Sequence, residues 1–279
     1  MIIRCWGARG SVPVSGKEYL KYGGDTPCIE IRSKEDEIII IDAGSGIRRL
    51  GNQLLAENRF SYSMLFTHAH WDHLIGFPFF KPIYMKKTKI TMYGCPYSEE
   101  SVKHMISRIM SHPNFPVDFD DIHANIVYDE TCGTDFSIHS LRVTSIPISH
   151  PNQGVGFKFV EDGKTFVFIT DNELSFKHPG GLDYEDYVAF SMDADILIHD
   201  AEFIEQDYKK VRTWGHSVYL DTLQLALDAK VKKLGLYHHN QDRTDTAIDE
   251  MIDKCQEIIQ KQSSCLECFA VSQDMEMKL

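Results

Sequence analysis

The segment His68-Ala69-His70-Trp71-Asp72-His73 puts four potential metal ligands into six residues. Imidazole nitrogen and carboxylate oxygen are the donors that divalent ions such as Zn²⁺ take. A single ion could not easily collect all four from so tight a turn. Two ions could share them, and paired ions roughly 3.5–4 Å apart are a known route to hydrolysis of phosphoesters and related bonds. The alternative is a surface loop that happens to be rich in histidine.

Something rigid must hold such a loop. The preceding run, Ser63-Met64-Leu65-Phe66-Thr67, is apolar and reads as a buried strand. The same local design recurs four times. Ile146-Pro147-Ile148-Ser149 stops at His150, and Phe166-Val167-Phe168-Ile169-Thr170 stops at Asp171. Ile196-Leu197-Ile198 stops at His199-Asp200, and Leu234-Gly235-Leu236-Tyr237 stops at His238-His239. Taken singly, each polar residue reads as a cap or turn. If the strands lie side by side, their ends converge on one rim.

Other strand-like runs fit 2–6, 27–32, 37–42, 89–94, 135–138, 141–147, 155–160, 164–169, 194–199 and 232–237. Helical spacing fits 46–57, 98–111, 217–229 and 244–261, and 112–124 reads as irregular. This order predicts an α/β chain in which two sheets pack together with helices outside.

Thr67-His68-Ala69-His70-Trp71-Asp72-His73, followed by His150, Asp171 and His238, resembles the metallo-β-lactamase fold. The likeness runs from Met1 to about residue 245, and it implies an αββα sandwich of mixed sheets forming one domain over 1–279. Within that superfamily the chain is most similar to ribonuclease Z and the phosphoribosyl cyclic phosphodiesterases. Gly7-Ala8-Arg9-Gly10-Ser11, Leu197-Ile198-His199-Asp200-Ala201-Glu202-Phe203 and Gly215-His216-Ser217 carry that closer likeness. The resemblance implies that His68, His70 and His150 hold one metal, that Asp72, His73 and His238 hold the other, and that Asp171 bridges them. Zn²⁺ suits the imidazoles and Mn²⁺ the more oxygen-rich second site. His70 stands where an iron-dependent redox branch has an acid, which argues against that branch.

The implied chemistry is attack by a metal-bridging hydroxide on a small or cyclic phosphodiester, such as a cyclic nucleotide or a ribose cyclic phosphate. His216 would stabilise charge on the phosphoryl oxygens or protonate the leaving group, with Asp200 orienting it and Asp72 in the catalytic centre. Gly7 to Ser11 would either present backbone N–H groups to the substrate or simply form a tight turn, with Arg9 read as a surface residue. Asp42 is expected to brace the histidine loop, and Asp25 to line the rim or stabilise a turn.

The competing readings are a transfer-RNA-processing ribonuclease, a lactone or thioester hydrolase, and a non-catalytic metal- or nucleotide-binding protein. Ribonuclease Z carries a long arm after the position of His150, whereas Pro151 to Asp171 reads as a plain hairpin. The net charge of -12 over 279 residues also argues against long nucleic acid. Residues 77–125 read as an insertion that caps the site or joins two subunits, rich in Met, Tyr, Phe and Pro and not in basic residues. No apolar stretch approaches the roughly 20 residues of a membrane span. The seven scattered cysteines and the absence of a signal-like start predict a cytoplasmic chain. Cys265-Leu266-Glu267-Cys268 lacks the second pair of a zinc knuckle. His104, His112, His123, His139 and His178 read as surface residues without partners.

Overall fold

The computed structural model describes residues 1–93, 99–129 and 134–279. The first sheet contains β1 (Ile2–Gly7), β2 (Cys28–Arg32), β3 (Ile38–Ile41), β4 (Ser61–Leu65), β5 (Lys89–Tyr93) and β6 (Asn125–Asp129). The second contains β7 (Asp135–Ile138), β8 (Leu141–Pro147), β9 (Val155–Glu161), β10 (Lys164–Ile169), β11 (Ile196–Asp200), β12 (Lys233–Tyr237) and β13 (Glu267–Ala270). The last strand, β14 (Glu276–Lys278), returns to the first sheet beside β1. The strand orders are β14-β1-β2-β3-β4-β5-β6 and β13-β12-β11-β10-β9-β8-β7.

The isoleucine run shows why the sheets stack. Ile39 and Ile41 point into the core between the sheets, while Ile38 and Ile40 point into the core under the helices. Side chains alternate along a strand, so a strand covered on both faces must be apolar throughout. In β10, Phe166 and Phe168 fill the space between sheets, and Val167 and Ile169 meet the helices. On the first sheet α1 (Ile47–Ala56) supplies Ile47, Leu50 and Leu54 to the outer core. On the second, α2 (Tyr219–Asp228) and α3 (Asp245–Lys261) do the same with Leu223, Ala226, Met251 and Cys255. Thr244 caps α3 by accepting the Ala247 N–H, and Ile248, Met251, Cys255 and Ile259 form its buried stripe. The result is the αββα sandwich.

The described residues of 77–125 are built into the first layer. They supply β5, which lies between β4 and β6, together with the helix Glu99–Ile109. Phe77, Phe80, Ile83, Ile90, Met92, Val102, Ile106, Met110 and Phe119 pack under α1 and β3. Part of the stretch read as irregular contains a turn of helix at Phe119–Asp121, and β6 follows it. The helices Tyr184–Ser191 and Glu205–Val211, and strands β13 and β14, go beyond the elements expected from sequence.

The parallel strands β3, β4, β10, β11 and β12 all run toward one rim. Asp42, Asp171 and His238 leave β3, β10 and β12 with positive φ, at 61°, 51° and 58°. Such conformations cost about 1–3 kcal/mol each and collect at functional sites.

Candidate metal centre

His68 and His70 follow β4, and one helical turn, Trp71–Leu74, then carries Asp72 and His73. The turn sits tightly against the loop after β3. A Cβ on Gly44 would lie 2.3 Å from Asp72 O, so only glycine lets the two backbones approach this closely. The turn is further tied by Ala43, whose N–H donates to His73 O at 2.7 Å.

Around this turn the strand ends bring together every predicted ligand. His68, His70, His150 and Asp171 form one group, and Asp72, His73, Asp171 and His238 form a second, with ligand atoms within 4.8 Å of one another in each. Asp171 belongs to both. His70 is half-buried and the other six are buried.

The hydrogen bonds fix which nitrogen faces inward. His73 Nδ1 lies 2.8 Å from Asp42 Oδ2, His238 Nδ1 lies 2.9 Å from Glu202 Oε2, and His150 Nδ1 lies 3.0 Å from Gly215 O. Each outer partner is an acceptor, so each Nδ1 donates and each Nε2 of a neutral ring turns a lone pair inward. Those lone pairs meet more acceptors. His238 Nε2 is 3.0 Å from Asp72 Oδ2, and His73 Nε2 is 3.3 Å from Asp171 Oδ1. His150 Nε2 is 3.1 Å from His70 Nδ1. His68 Nε2 and His73 Nε2 are buried without a hydrogen-bond partner. Lone pairs and carboxylates packed face to face repel unless positive charge lies among them. The donor set therefore fits two divalent cations, one at each group.

In the absence of cations, protons on two of these rings supply the positive charge that the carboxylates call for. Burial lowers the pKa of His68, His70 and His150, the last to about 3, so these rings are neutral donors. Burial also works against charge on His73 and His238, but Asp171 leads a set of carboxylates that raises both well above the usual histidine value. Burial pushes Asp72 and Asp171 upward, and the neighbouring histidines outweigh it and hold both well below the carboxylate range.

His216 stands at the edge of the second group. Its Nδ1 is 2.6 Å from Asp200 Oδ2 and 3.4 Å from Glu202 Oε2, and its ring stacks on His238 with centroids 4.8 Å apart. Burial alone would lower its pKa; Glu202, Asp200 and Asp171 together lift it to about 9. In the absence of cations these carboxylates thus favour the protonated ring. Asp200 is itself raised by burial, against the pull of His216, and its Oδ1 accepts the Glu202 and Ser217 N–H groups. Gly215 makes room for this loop: φ is +93°, and a Cβ there would lie 2.1 Å from His150 Nδ1.

Some expectations are corrected. Arg9 is fully buried, not on the surface, because its guanidinium donates to the carbonyls of Gly23, Asn240 and Arg243. The Gly7–Ser11 backbone serves the protein itself: Ser11 N–H donates to Asp72 Oδ2 at 2.9 Å and Gly10 N–H to His239 O at 2.8 Å. His178 is buried, and its Nε2 lies 2.8 Å from Glu173 Oε2. His139 pairs with Glu37, and His123 with Tyr84 O. Asp25 takes the turn-stabilising role, one of the two expected of it: its Oδ1 accepts from Ser45 Oγ at 2.7 Å. Cys265 is exposed while Cys268 is buried against Cys255.

Two carboxylates were undervalued in the sequence. Glu202 braces His238, and Glu173 accepts from Tyr208, Thr213 and Gly215 around the His216 loop. Asp171/Glu173 and Asp200/Glu202 share a spacing of two past a strand end, which was the available signal. His199 and His239 face away from the centre and contact Asn172 and Val271 O.

Comparison with known proteins agrees with this architecture. The family described as "Beta-lactamase superfamily domain" matches residues 38–239. A ribonuclease Z of Sulfurisphaera tokodaii is 25% identical over 267 residues, covering 84% of this chain and 88% of that protein. A metallo-beta-lactamase fold protein of Bacillus subtilis, YhfI, superposes with a TM-score of 0.70 at 15% identity, covering 99% of this chain and 98% of that one. A human short-form tRNase Z superposes with a TM-score of 0.64 at 18% identity, covering 100% and 99%.

Proposed function

The chain belongs to the β-lactamase superfamily of metal-dependent hydrolases, and from that membership we propose that it hydrolyses small or cyclic phosphodiesters. His68, His70, His150 and Asp171 would hold one divalent ion, and Asp72, His73, His238 and Asp171 the other. Bound there, two such ions would polarise a phosphoryl oxygen and supply hydroxide near neutral pH, with Zn²⁺ the first choice and Mn²⁺ the second.

The observation that carries the reading is the Asp200–His216 pair beside the ligand groups. Asp200 holds His216 Nδ1 at 2.6 Å, which directs Nε2 away from the carboxylate. A cationic imidazole there can bind a phosphoryl oxygen or protonate an alkoxide leaving group. Carbonyl hydrolysis has less use for a second, phosphate-facing cation. The relatives named ribonuclease Z favour a second reading, cleavage of precursor RNA. Against it, β9 and β10 join through Asp162-Gly163 alone, leaving no arm between them, and the net charge is -12.

Purified protein loaded with Zn²⁺ or Mn²⁺ should cleave bis(p-nitrophenyl) phosphate and a cyclic nucleotide, and His70→Ala should abolish both. Activity that survives His70→Ala would reject the assignment. Efficient trimming of precursor transfer RNA on a gel, with no turnover of small diesters, would move the function to the second reading.

A further inference from the structure

The loop that joins β8 to β9 is pressed onto the histidine turn. Val155 N–H donates to Thr67 O at 2.9 Å, and a Cβ on Gly154 would lie 2.9 Å from Thr67 O and 3.0 Å from His68 Cβ. Gln153 N–H closes the loop on His150 O at 3.0 Å. Asn152, exposed at the tip, thereby comes against His70: its Nδ2 lies 2.9 Å from His70 Nε2.

His70 is oriented the opposite way from its neighbours. His73, His238 and His150 turn Nε2 inward, and their Nδ1 atoms are held by Asp42, Glu202 and the Gly215 carbonyl. In His70 it is Nδ1 that faces the other ligands, 3.1 Å from His150 Nε2, while Nε2 faces out to Asn152. The outer partners of the other three rings can only accept. The side-chain amide of Asn152 can accept or donate, because a half-turn about its last torsion exchanges its two ends.

A neutral imidazole carries one proton. An amide that donates to His70 Nε2 keeps that proton on Nδ1, where it blocks an ion. An amide that accepts from Nε2–H leaves Nδ1 its lone pair. Outer partners of this second kind fix the tautomer and the aim of metal-binding histidines.

We propose that Asn152 is a positioning residue for His70: its Oδ1 accepts the Nε2–H and so holds the ring in the tautomer whose Nδ1 can take an ion. The proposal rests on the two-ion reading of the ligand groups.

Because Asn152 is exposed, its substitution leaves the core untouched. Asn152→Leu covers Nε2 and offers it no acceptor, whereas Asn152→Asp offers an acceptor whichever way it turns. Zn²⁺ titrated against a metal-sensitive dye should give two binding steps in the wild type. Asn152→Leu should weaken one of them roughly 10- to 100-fold, the step that His70→Ala also removes, and leave the other as it was. Asn152→Asp should bind at that step at least as tightly as the wild type. Metal-free Asn152→Leu should unfold at the wild-type urea concentration. Two unchanged steps in Asn152→Leu, equal weakening of both with an earlier urea midpoint, or failure of Asn152→Asp to restore the affected step would each overturn the proposal. A wild type that binds no Zn²⁺ would overturn the two-ion reading along with it, so the wild-type titration tells the two failures apart.

Discussion

Glu173 Oε2 accepts the Gly215 N–H at 2.8 Å. Through that contact a buried carboxylate holds the loop that carries His216. Tyr208 and Thr213 donate to the other oxygen, and His178 Nε2 lies 2.8 Å from Oε2. Gly215 O in turn accepts from His150 Nδ1 at 3.0 Å. Glu173 thus orders His150, a proposed metal ligand, and His216, the proposed acid, together. Glu173→Gln puts an N–H₂ where an acceptor is needed, leaving one donor facing another. It should lower stability by about 2 kcal/mol in urea unfolding. It should also lower kcat about tenfold, with KM for a small diester less affected. Unaltered kcat would show that the loop keeps its place without this carboxylate.

Asp42 is the corresponding support for the second ligand group. It accepts from Thr67 N and Thr67 Oγ1 at 2.8 Å each, and its Oδ2 sits 2.8 Å from His73 Nδ1. Asp42→Asn keeps the volume but can no longer accept from every donor around it. Affinity for the second ion should fall 10- to 100-fold, the usual loss when such a partner of a ligand is removed. Competition with a metal-sensitive dye, run stepwise, would show two sites of similar affinity in the wild type and one weakened in the variant. Two unchanged affinities would leave Asp42 with a folding role only.

Asp200→Asn tests the division between metal ligands and acid residue. His216, Asp200, Asp171 and His238 also lie within 4.8 Å of one another, so ligation by His216 is a geometric alternative. If His216 acts as the acid, Asp200→Asn should cut kcat by roughly 10²–10⁴ with two ions per chain retained. Elemental analysis of the same preparation decides. Loss of an ion in step with activity would place Asp200 and His216 among the ligands.

Much of this centre was legible because its residue types are rare in combination and sit at strand exits. The run Phe166 to Thr170 ending at Asp171 shows both the strand and the ligand, since an apolar run must stop where the chain turns polar. The sandwich was legible from Ile38 to Ile41, where both faces need cover. Arg9 was not legible. Its partners are the carbonyl of Gly23 and, more than 200 residues away, those of Asn240 and Arg243, and backbone oxygens leave no mark on local sequence. Strand β14 escaped for the same reason: Ile3 pairs with Met277 across nearly the whole chain. Residues 125–129 carry a half-exposed edge strand, whose weak apolar pattern resembles a loop.

The rim also needs its strands held in register at the opposite end, and Asp195 does this. It is 7% exposed, its Oδ2 accepts the Thr165 N–H at 2.9 Å, and its Oδ1 lies 2.7 Å from Lys232 Nζ. It therefore joins the starts of β10, β11 and β12. Burial pushes its pKa up, but Lys232, the Thr165 N–H and Lys164 prevail and hold it below 3.8. A carboxylate lowered on folding binds fewer protons in the native state than in the unfolded one, so its stabilisation is complete above the unfolded pKa. It is lost as pH falls through the lower native value. Asp195→Asn should accordingly cost about 1–2 kcal/mol at pH 7. The gap between variant and wild type should narrow below about pH 4. Urea midpoints measured from pH 7 to pH 3 check this; a gap that stays constant to pH 3 would assign the loss to packing and not to charge.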